Sequence, residues 1–474
     1  MDAADPEGER VPPPAPRPGP EAEPPLVPLG EAWRAWAEVA LHSFGGPAGQ
    51  IAVMHRVLVE ERRWISEERF LHALNYCMLL PGPEAQQLAT YVGWLLHRTP
   101  GALLAGGLFV APGFLAILAL SYVYVLFGEV GLVIGVFAGL KPAVFAIVVQ
   151  ALVRIGRRVL HHRAHLAIAA AAFAAIFFLQ VRFPWVVLGG ALAGVVVGRG
   201  STSMGGHGPG AAGTPGPPPD SIAARLDARP PEHTRPSVPR ALRVAAVCLA
   251  LWLLPLLAIR LGAGPDSHFT LIGEFFSKAA VVTFGGAYAV LTYVAQQAVE
   301  TYAWLQPGEM LDGLGMAETT PGPLIMVVQF VGFMGAWRFP GGLDPLPAAT
   351  LGALLATWVT FVPCFLWILV GAPWVEALRR NRVLAAAFTG ITAAVVGVIL
   401  NLAVWFGLHT LFADVREVHT GIVRWFAPPL EGLRVPALVI ALLALWATFR
   451  GKAGMFAVLG GAALLGVAGQ WLGA

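Results

Sequence analysis

Charge is scarce in this chain. Asp, Glu, Lys and Arg together make up 12% of its 474 residues, against 57% hydrophobic ones. Water-soluble domains carry about 25% charge, so roughly half the material needed to face water is missing, and mean hydropathy is high at +0.68. An ordinary soluble globule is excluded. Cysteine is also sparse. Cys77, Cys248 and Cys364 lie far apart, which argues against a disulfide framework or a zinc knuckle and makes each a small packing residue. The net charge is only +3, with basic residues in loop clusters, so nucleic-acid binding has no support. No phosphate-cradling Gly-x-x-x-x-Gly-Lys-Ser/Thr run is present, so nucleotide hydrolysis in this chain is not the energy source. No nucleophile–base spacing stands out. Neither an enzyme nor a cofactor is expected.

What is there is long apolar runs. Residues 101–127, 279–299 and 345–375 are uncharged and reach the roughly 20 residues that span a hydrocarbon core as a helix. Shorter runs at 166–181, 183–198 and 244–259 need tilt or flanking residues to cross. The pattern predicts an all-α, polytopic integral membrane protein surrounded by lipid, with about ten crossings or re-entrant pieces. Residues 1–30 are Pro-rich, mostly acidic and free of aromatics; without a basic start and apolar run they read as a disordered tail, not a secretory signal. Residues 199–240, rich in Gly, Pro and Ser, carry five Arg against three acids and read as a flexible cytoplasmic linker. They separate a first unit at 31–198 from a connecting helix at 241–262 and a second unit at 268–474.

The two units repeat one another. Ser43-Phe44-Gly45-Gly46 returns as Thr283-Phe284-Gly285-Gly286, 240 residues on. In the same register Glu60 meets Glu300, Trp64 meets Trp304, and Pro81-Gly82-Pro83 meets Pro321-Gly322-Pro323. Beyond a longer second-half loop the offset becomes 251: Pro112 matches Pro363, Gly139 matches Gly390 and Gln150 matches Asn401. Basic loops then suggest orientation. Arg154, Arg157, Arg158 and Arg163 follow the first-half helix near 132–153, whereas Arg379, Arg380 and Arg382 precede its second-half counterpart near 383–402. Short cytoplasmic loops collect Lys and Arg, so equivalent helices are expected to run in opposite directions. The expectation is two homologous halves, inverted relative to each other, with the substrate site at their interface.

Polar and backbone-breaking residues gather at two places in each unit. Phe44-Gly45-Gly46 and Phe284-Gly285-Gly286 interrupt apolar helical stretches; Pro81-Gly82-Pro83 and Pro321-Gly322-Pro323 open the next ones. Such breaks free backbone N–H groups and aim positive helix ends into the membrane, which suits an anion. They also suit simple kinks and close packing. Gln86, Gln87, Thr319 and Thr320 are further candidate donors. Lys141 stands alone among the apolar residues of its helix; it either counters an anion's charge or pairs with Glu129 or snorkels to an interface. Lys278 marks an interface. Glu84 either carries a coupling proton or is a first-turn helix charge, the second being favoured. Residues 54–69, alternating acids and bases, are expected to form a solvated or interfacial helix, with Trp64 and Trp304 at the bilayer interface. The His-rich run at 161–165 reads as a charged loop rather than a metal site.

At these residues the sequence resembles the chromate ion transporter family, of the long, two-half type. The matching blocks are Ser43-Phe44-Gly45-Gly46-Pro47, Gln50, Trp64 and Leu80-Pro81-Gly82-Pro83 with Gln86-Gln87. In the second half they are Thr283-Phe284-Gly285-Gly286-Ala287-Tyr288, Trp304, Thr320-Pro321-Gly322-Pro323 and Gln329, and Gly139-Leu140-Lys141-Pro142-Ala143-Val144 resembles a further block. The resemblance implies efflux of chromate across the cytoplasmic membrane of a prokaryote, conferring chromate resistance, with sulfate as the natural mimic. Membrane potential or a proton gradient would drive it. An anion channel of similar inverted design, or a carrier of another oxyanion such as molybdate, is the competing reading, and the oligomeric state is open, a homodimer included.

Overall fold

The computed structural model describes residues 27–44, 46–78, 80–200, 221–228, 231–284, 287–306, 308–374, 382–421 and 423–471. Almost all of it is helix. In the first half, α1 (Leu29–His42) breaks at Ser43, and α2 (Gly46–His55) continues into a wide π turn over Arg56–Glu61. A bend leads to α3 (Glu67–Cys77), capped by the Ser66 hydroxyl, which accepts from Arg69 N. After Pro-Gly-Pro comes α4 (Glu84–Phe127), then α5 (Gly131–Val159), α6 (Arg163–Phe177) and α7 (Phe183–Gly200). Between the halves lie α8 (Ile222–Ala228) and α9 (Val238–Ala263). The second half repeats the order with α10 (His268–Val282), α11 (Ala287–Gln296), α12 (Glu309–Thr319), α13 (Val327–Arg338), α14 (Pro345–Gly371) and α15 (Arg382–Leu411). A β-hairpin, β1 (Arg416–Thr420) with β2 (Val423–Ala427), precedes α16 (Val435–Phe449) and α17 (Met455–Trp471).

Among the described residues, five helical stretches are long and apolar enough to cross a membrane: Glu84–Phe127, Gly131–Val159, Val238–Ala263, Pro345–Trp374 and Ala386–Leu411. Five shorter apolar helices accompany them. Their outward faces carry large exposed side chains such as Leu192, Leu254, Leu261 and Leu464, as lipid contact requires. A straight 44-residue helix would reach about 66 Å, far beyond a bilayer. Instead α4 folds back at His97 and Arg98, the latter at φ 56°, and its two limbs lie side by side. The run at 279–299 is likewise not one span, because the chain leaves the helix between Val282 and Ala287.

The repeat extends to individual backbone hydrogen bonds. Trp64 and Ile65 N–H both donate to Leu58 O; Trp304 and Leu305 N–H both donate to Ala298 O. Arg63 and Ala303 each take a positive φ, 52° and 51°. Three sequence expectations change here. Residues 54–69 are a helix end, a π turn, a bend and a new helix, not one interfacial helix. The bend turns Trp64 and Trp304 inward, where they are fully buried; Trp304 stacks on Tyr302 at 4.3 Å and its Nε1–H donates to His268 at 3.2 Å. Part of the expected linker is also ordered. Ala223 and Leu226 of α8 are buried against the bend, Ala223 N–H donates to Arg63 O, and Arg69 pairs with Asp227 at 2.8 Å. Further on, His233 packs edge-on to Trp94, and burial pushes its imidazole pKa down.

The halves exchange their last helices. On α5, Gly139 meets α17 so closely that a Cβ would lie 1.9 Å from Ala462 O; on α15, a Cβ at Gly390 would lie 2.2 Å from Gly190 O of α7. Small residues four apart allow such approach in lipid, where packing rather than water drives association. A side chain at Gly139 must part the helices, which costs about 1–3 kcal/mol. Gly139→Val is expected to lower the thermal midpoint of the detergent-purified protein. Gly460→Val, at a site with nothing within 4 Å, is expected to leave it unchanged.

Candidate anion-binding site

The two kinds of helix break meet across the halves. Gly82 N–H donates to Thr283 O at 2.8 Å, and Gly322 N–H donates to Ser43 O at 2.9 Å. In each Pro-Gly-Pro the glycine supplies the only N–H, since proline has none. Gly82 and Gly322 sit at φ 120° and 103°, a region L side chains avoid, and this turns the N–H toward the other half. The Ser43 and Thr283 hydroxyls donate back to Val39 O and Ala279 O, both at 2.5 Å, closing the broken helix ends. Gln50 from α2 reinforces the crossing by donating to Gly322 O at 2.6 Å.

Beside the crossing lies a cavity of about 480 Å³, large enough for a tetrahedral oxyanion with water. The first turns of α2 (Gly46, Pro47) and α11 (Ala287, Tyr288), with Gly82 just ahead of α4 and Glu84 at its first position, form part of its wall. Three helices thus begin at the cavity, where helix N-termini favour negative charge. One stripe of α5, from Ile147 and Gln150 through Arg154 to Arg158, forms another wall. Among the described residues neither guanidinium is engaged in an ion pair. Glu318 of α12 completes the charged set and accepts from Tyr288 Oη at 2.6 Å. Thr448, Ala453 and Met455 also line the cavity, on either side of the turn that carries Arg450 and Lys452. A separate crevice of about 10 Å³, lined by Gly82 and Thr283 among others, has room for one water at most.

The residues expected from sequence are distributed unevenly. Gly46 and Gly82 line the cavity. Gly45, Gly285 and Gly286 lie outside the described residues. Phe44 and Phe284 are packing wedges, against Phe456 at 5.0 Å and Phe388 at 6.1 Å. Pro81, Pro83, Pro321, Gly322 and Pro323 shape the crossing rather than the cavity wall. Gln86 and Gln87 are buried, and their amides donate to Thr90 and to Pro81 O; Thr319 and Thr320 hydroxyls donate to their own helix. Lys141 is not at the cavity. It pairs with Asp312 of α12 at 3.2 Å, not with Glu129, and Tyr124 Oη donates to the same carboxylate at 2.9 Å. Thirteen residues of α5 separate Lys141 from Arg154, about 20 Å along the axis. Lys278 lies exposed on α10, 3.7 Å from Glu274.

The cavity's cations, Arg154 and Arg158, entered the sequence reading only as markers of a basic loop. A signal for them existed: Gln150, Arg154 and Arg158 recur every fourth residue, so they share one helix face. Glu318 and Tyr288 had no comparable signal, because they meet only across two helices.

Comparison with known proteins agrees with this architecture. The sequence matches the family described as Chromate transporter over residues 30–195 and 270–467. It is 32% identical over 385 residues to the chromate transport protein of Pseudomonas aeruginosa, covering 80% of this chain and 81% of that protein. It is 26% identical to a probable chromate transport protein of Synechococcus elongatus, covering 89% and 95%, and 28% identical to the chromate transport protein of Cupriavidus metallidurans, covering 76% and 78%. No solved structure matches. With its paired helix breaks, its multiple apolar crossings and a family match spanning both halves, the chain belongs to the chromate transporter family of multi-pass membrane transporters, which are not enzymes.

Proposed function

We propose that this protein exports chromate, or a tetrahedral oxyanion of the same charge and shape, from the cytoplasm, and that the cavity is its cytoplasm-facing binding site. The observation that carries the reading is the pair of guanidiniums, Arg154 and Arg158, free of ion pairs among the described residues, beside the starts of three helices. Chromate and sulfate are acceptor-only dianions near neutral pH, so a site for them needs N–H donors and positive potential. The cavity reaches Arg158 near the end of α5, next to Arg157 and Arg163, and Thr448 and Ala453 beside the turn with Arg450 and Lys452. Lys and Arg gather on the cytoplasmic side, so this end of the cavity is assigned to the cytoplasm. The two halves are inserted in opposite senses. A dianion leaving a negative interior gains about 4.6 kcal/mol per 100 mV, at about 2.3 per charge, enough to sustain a gradient above 1,000-fold. The two hydrogen bonds that join the halves at the crossing support alternating access over the competing reading of an open anion channel.

Everted membrane vesicles are expected to take up labelled chromate against its gradient when energised. The Arg154→Gln/Arg158→Gln variant should lose about 10- to 100-fold of that uptake, the weight of one charge-assisted contact, at equal membrane abundance. Undiminished uptake would remove the site assignment, and flux that only runs downhill would favour the channel. Competition by sulfate and molybdate in the same assay ranks the substrates. Reporter tags inserted after Arg163 and beside Arg380 should both read cytoplasmic; tags on opposite faces would rule out oppositely inserted halves. Removing Lys141 strands Asp312, which is buried, and an uncompensated buried charge costs about 3–5 kcal/mol. Lys141→Ala should therefore deplete the protein from the membrane, and adding Asp312→Asn should restore much of it without altering the substrate ranking.

A further inference from the structure

We propose that Glu318 takes up a proton from the cytoplasmic solvent when a divalent oxyanion occupies the cavity and releases it when the anion leaves. The inference rests on the oxyanion reading of the cavity and adds the group that makes the site charge-compatible.

The argument begins with the charges that line the space. Arg154 and Arg158 come from α5, Glu84 from the start of α4, and Glu318 from α12. Two cations against two carboxylates leave the empty cavity without net charge. A dianion then enters a site that would carry two uncompensated negative charges, beside a Glu318 carboxylate that is itself buried, where charges are screened less than in bulk water. Protonating one carboxylate removes one of them, and like charges sharing a site favour that outcome.

The geometry selects Glu318 over Glu84. Glu84 is the first residue of α4, where the helix dipole stabilises a negative charge. Glu318 is the penultimate residue of α12, where the dipole opposes it, and it is only 2% exposed. Tyr288 from α11 donates its hydroxyl to Glu318 Oε1 at 2.6 Å, and the polar and charged groups that line the cavity together with Glu318 are Arg154, Arg158 and Gln150 from α5, Glu84 from α4 and Thr392 from α15. The other acids of its own helix are occupied elsewhere: Glu309 pairs with Arg338 at 2.7 Å and Asp312 with Lys141 at 3.2 Å.

The step balances simply. The carboxylate gains one proton from solvent and becomes a carboxylic acid, and the anion keeps its two charges. The acid also supplies an O–H donor to a ligand that can only accept. Should the proton travel outward with the anion, each cycle moves one charge instead of two and the electrical driving force halves.

The test is calorimetric titration of the full-length, detergent-purified protein with sulfate and with chromate, in buffers of differing ionisation enthalpy across the neutral range. The wild-type protein is expected to take up about one proton per anion, with affinity falling roughly tenfold per pH unit once the free site is ionised. Glu318→Gln should bind the anion with uptake near zero and a flat pH profile. Tyr288→Phe, which removes a hydrogen bond to the ionised form, should keep the proton count and move the profile to higher pH; it decides the matter if Glu318→Gln does not accumulate. Binding without net proton uptake, or uptake that persists in Glu318→Gln, overturns the proposal. So does uptake with chromate but not with sulfate, which stays doubly charged throughout that range, because the proton would then ride on the ligand. If neither anion binds the wild-type protein, the oxyanion reading itself fails and this inference falls with it.

Discussion

Two backbone hydrogen bonds hold the architecture to one arrangement: Gly82 N–H to Thr283 O, and Gly322 N–H to Ser43 O. Each joins a donor released by one half to an acceptor released by the other. A break in a membrane helix leaves polar backbone that lipid cannot satisfy, at several kcal/mol per group. Here the defect that ends α1 or α10 is matched by the defect that precedes α4 or α13. The breaks tolerate one another only in register. This is why Phe-Gly-Gly and Pro-Gly-Pro recur at equal spacing in both halves: a shift of one residue would part both bonds.

The exchange of last helices follows the same logic on a larger scale. α17 closes against α5 and α7 against α15, at points where glycine removes the side chain that would hold them apart. Each half therefore supplies part of the other's packing, and the cavity is walled by both. The helix starts come from both halves, the cations from α5, and the second carboxylate from α12. Duplication built the scaffold, but the copies have diverged chemically. Thr392, the counterpart of Lys141, lines the cavity, while Lys141 is bound into an ion pair beyond it. Arg154 and Arg158 have no Lys or Arg counterparts in residues 405–414, where Trp405 and His409 stand in their places.

A solute passing between the halves at Gly82 and Thr283 would have to part the bonds that define the fold. On the far side of α5 the buried contact of Lys141, Asp312 and Tyr124 ties α4, α5 and α12 together. Polar pairs inside a membrane protein are costly to break singly, so this cluster resists partial opening and favours two discrete arrangements.

Much of this was legible in one dimension. Hydropathy and the scarcity of charge determined that the chain is helical and membrane-embedded, and a repeat in strict register determined that it is two copies of one unit. Those properties are local or periodic, so they survive projection onto a line. Which break meets which, why Gln86, Gln87 and Lys141 turn away from the cavity, and why Trp64 and Trp304 are buried were decided only by tertiary structure. The same applies to Glu318, brought to Tyr288 and the α5 arginines by the crossing of helices from both halves. Composition and spacing specify what each segment can do, but a binding site is a set of long-range proximities, and those exist only once the helices have packed.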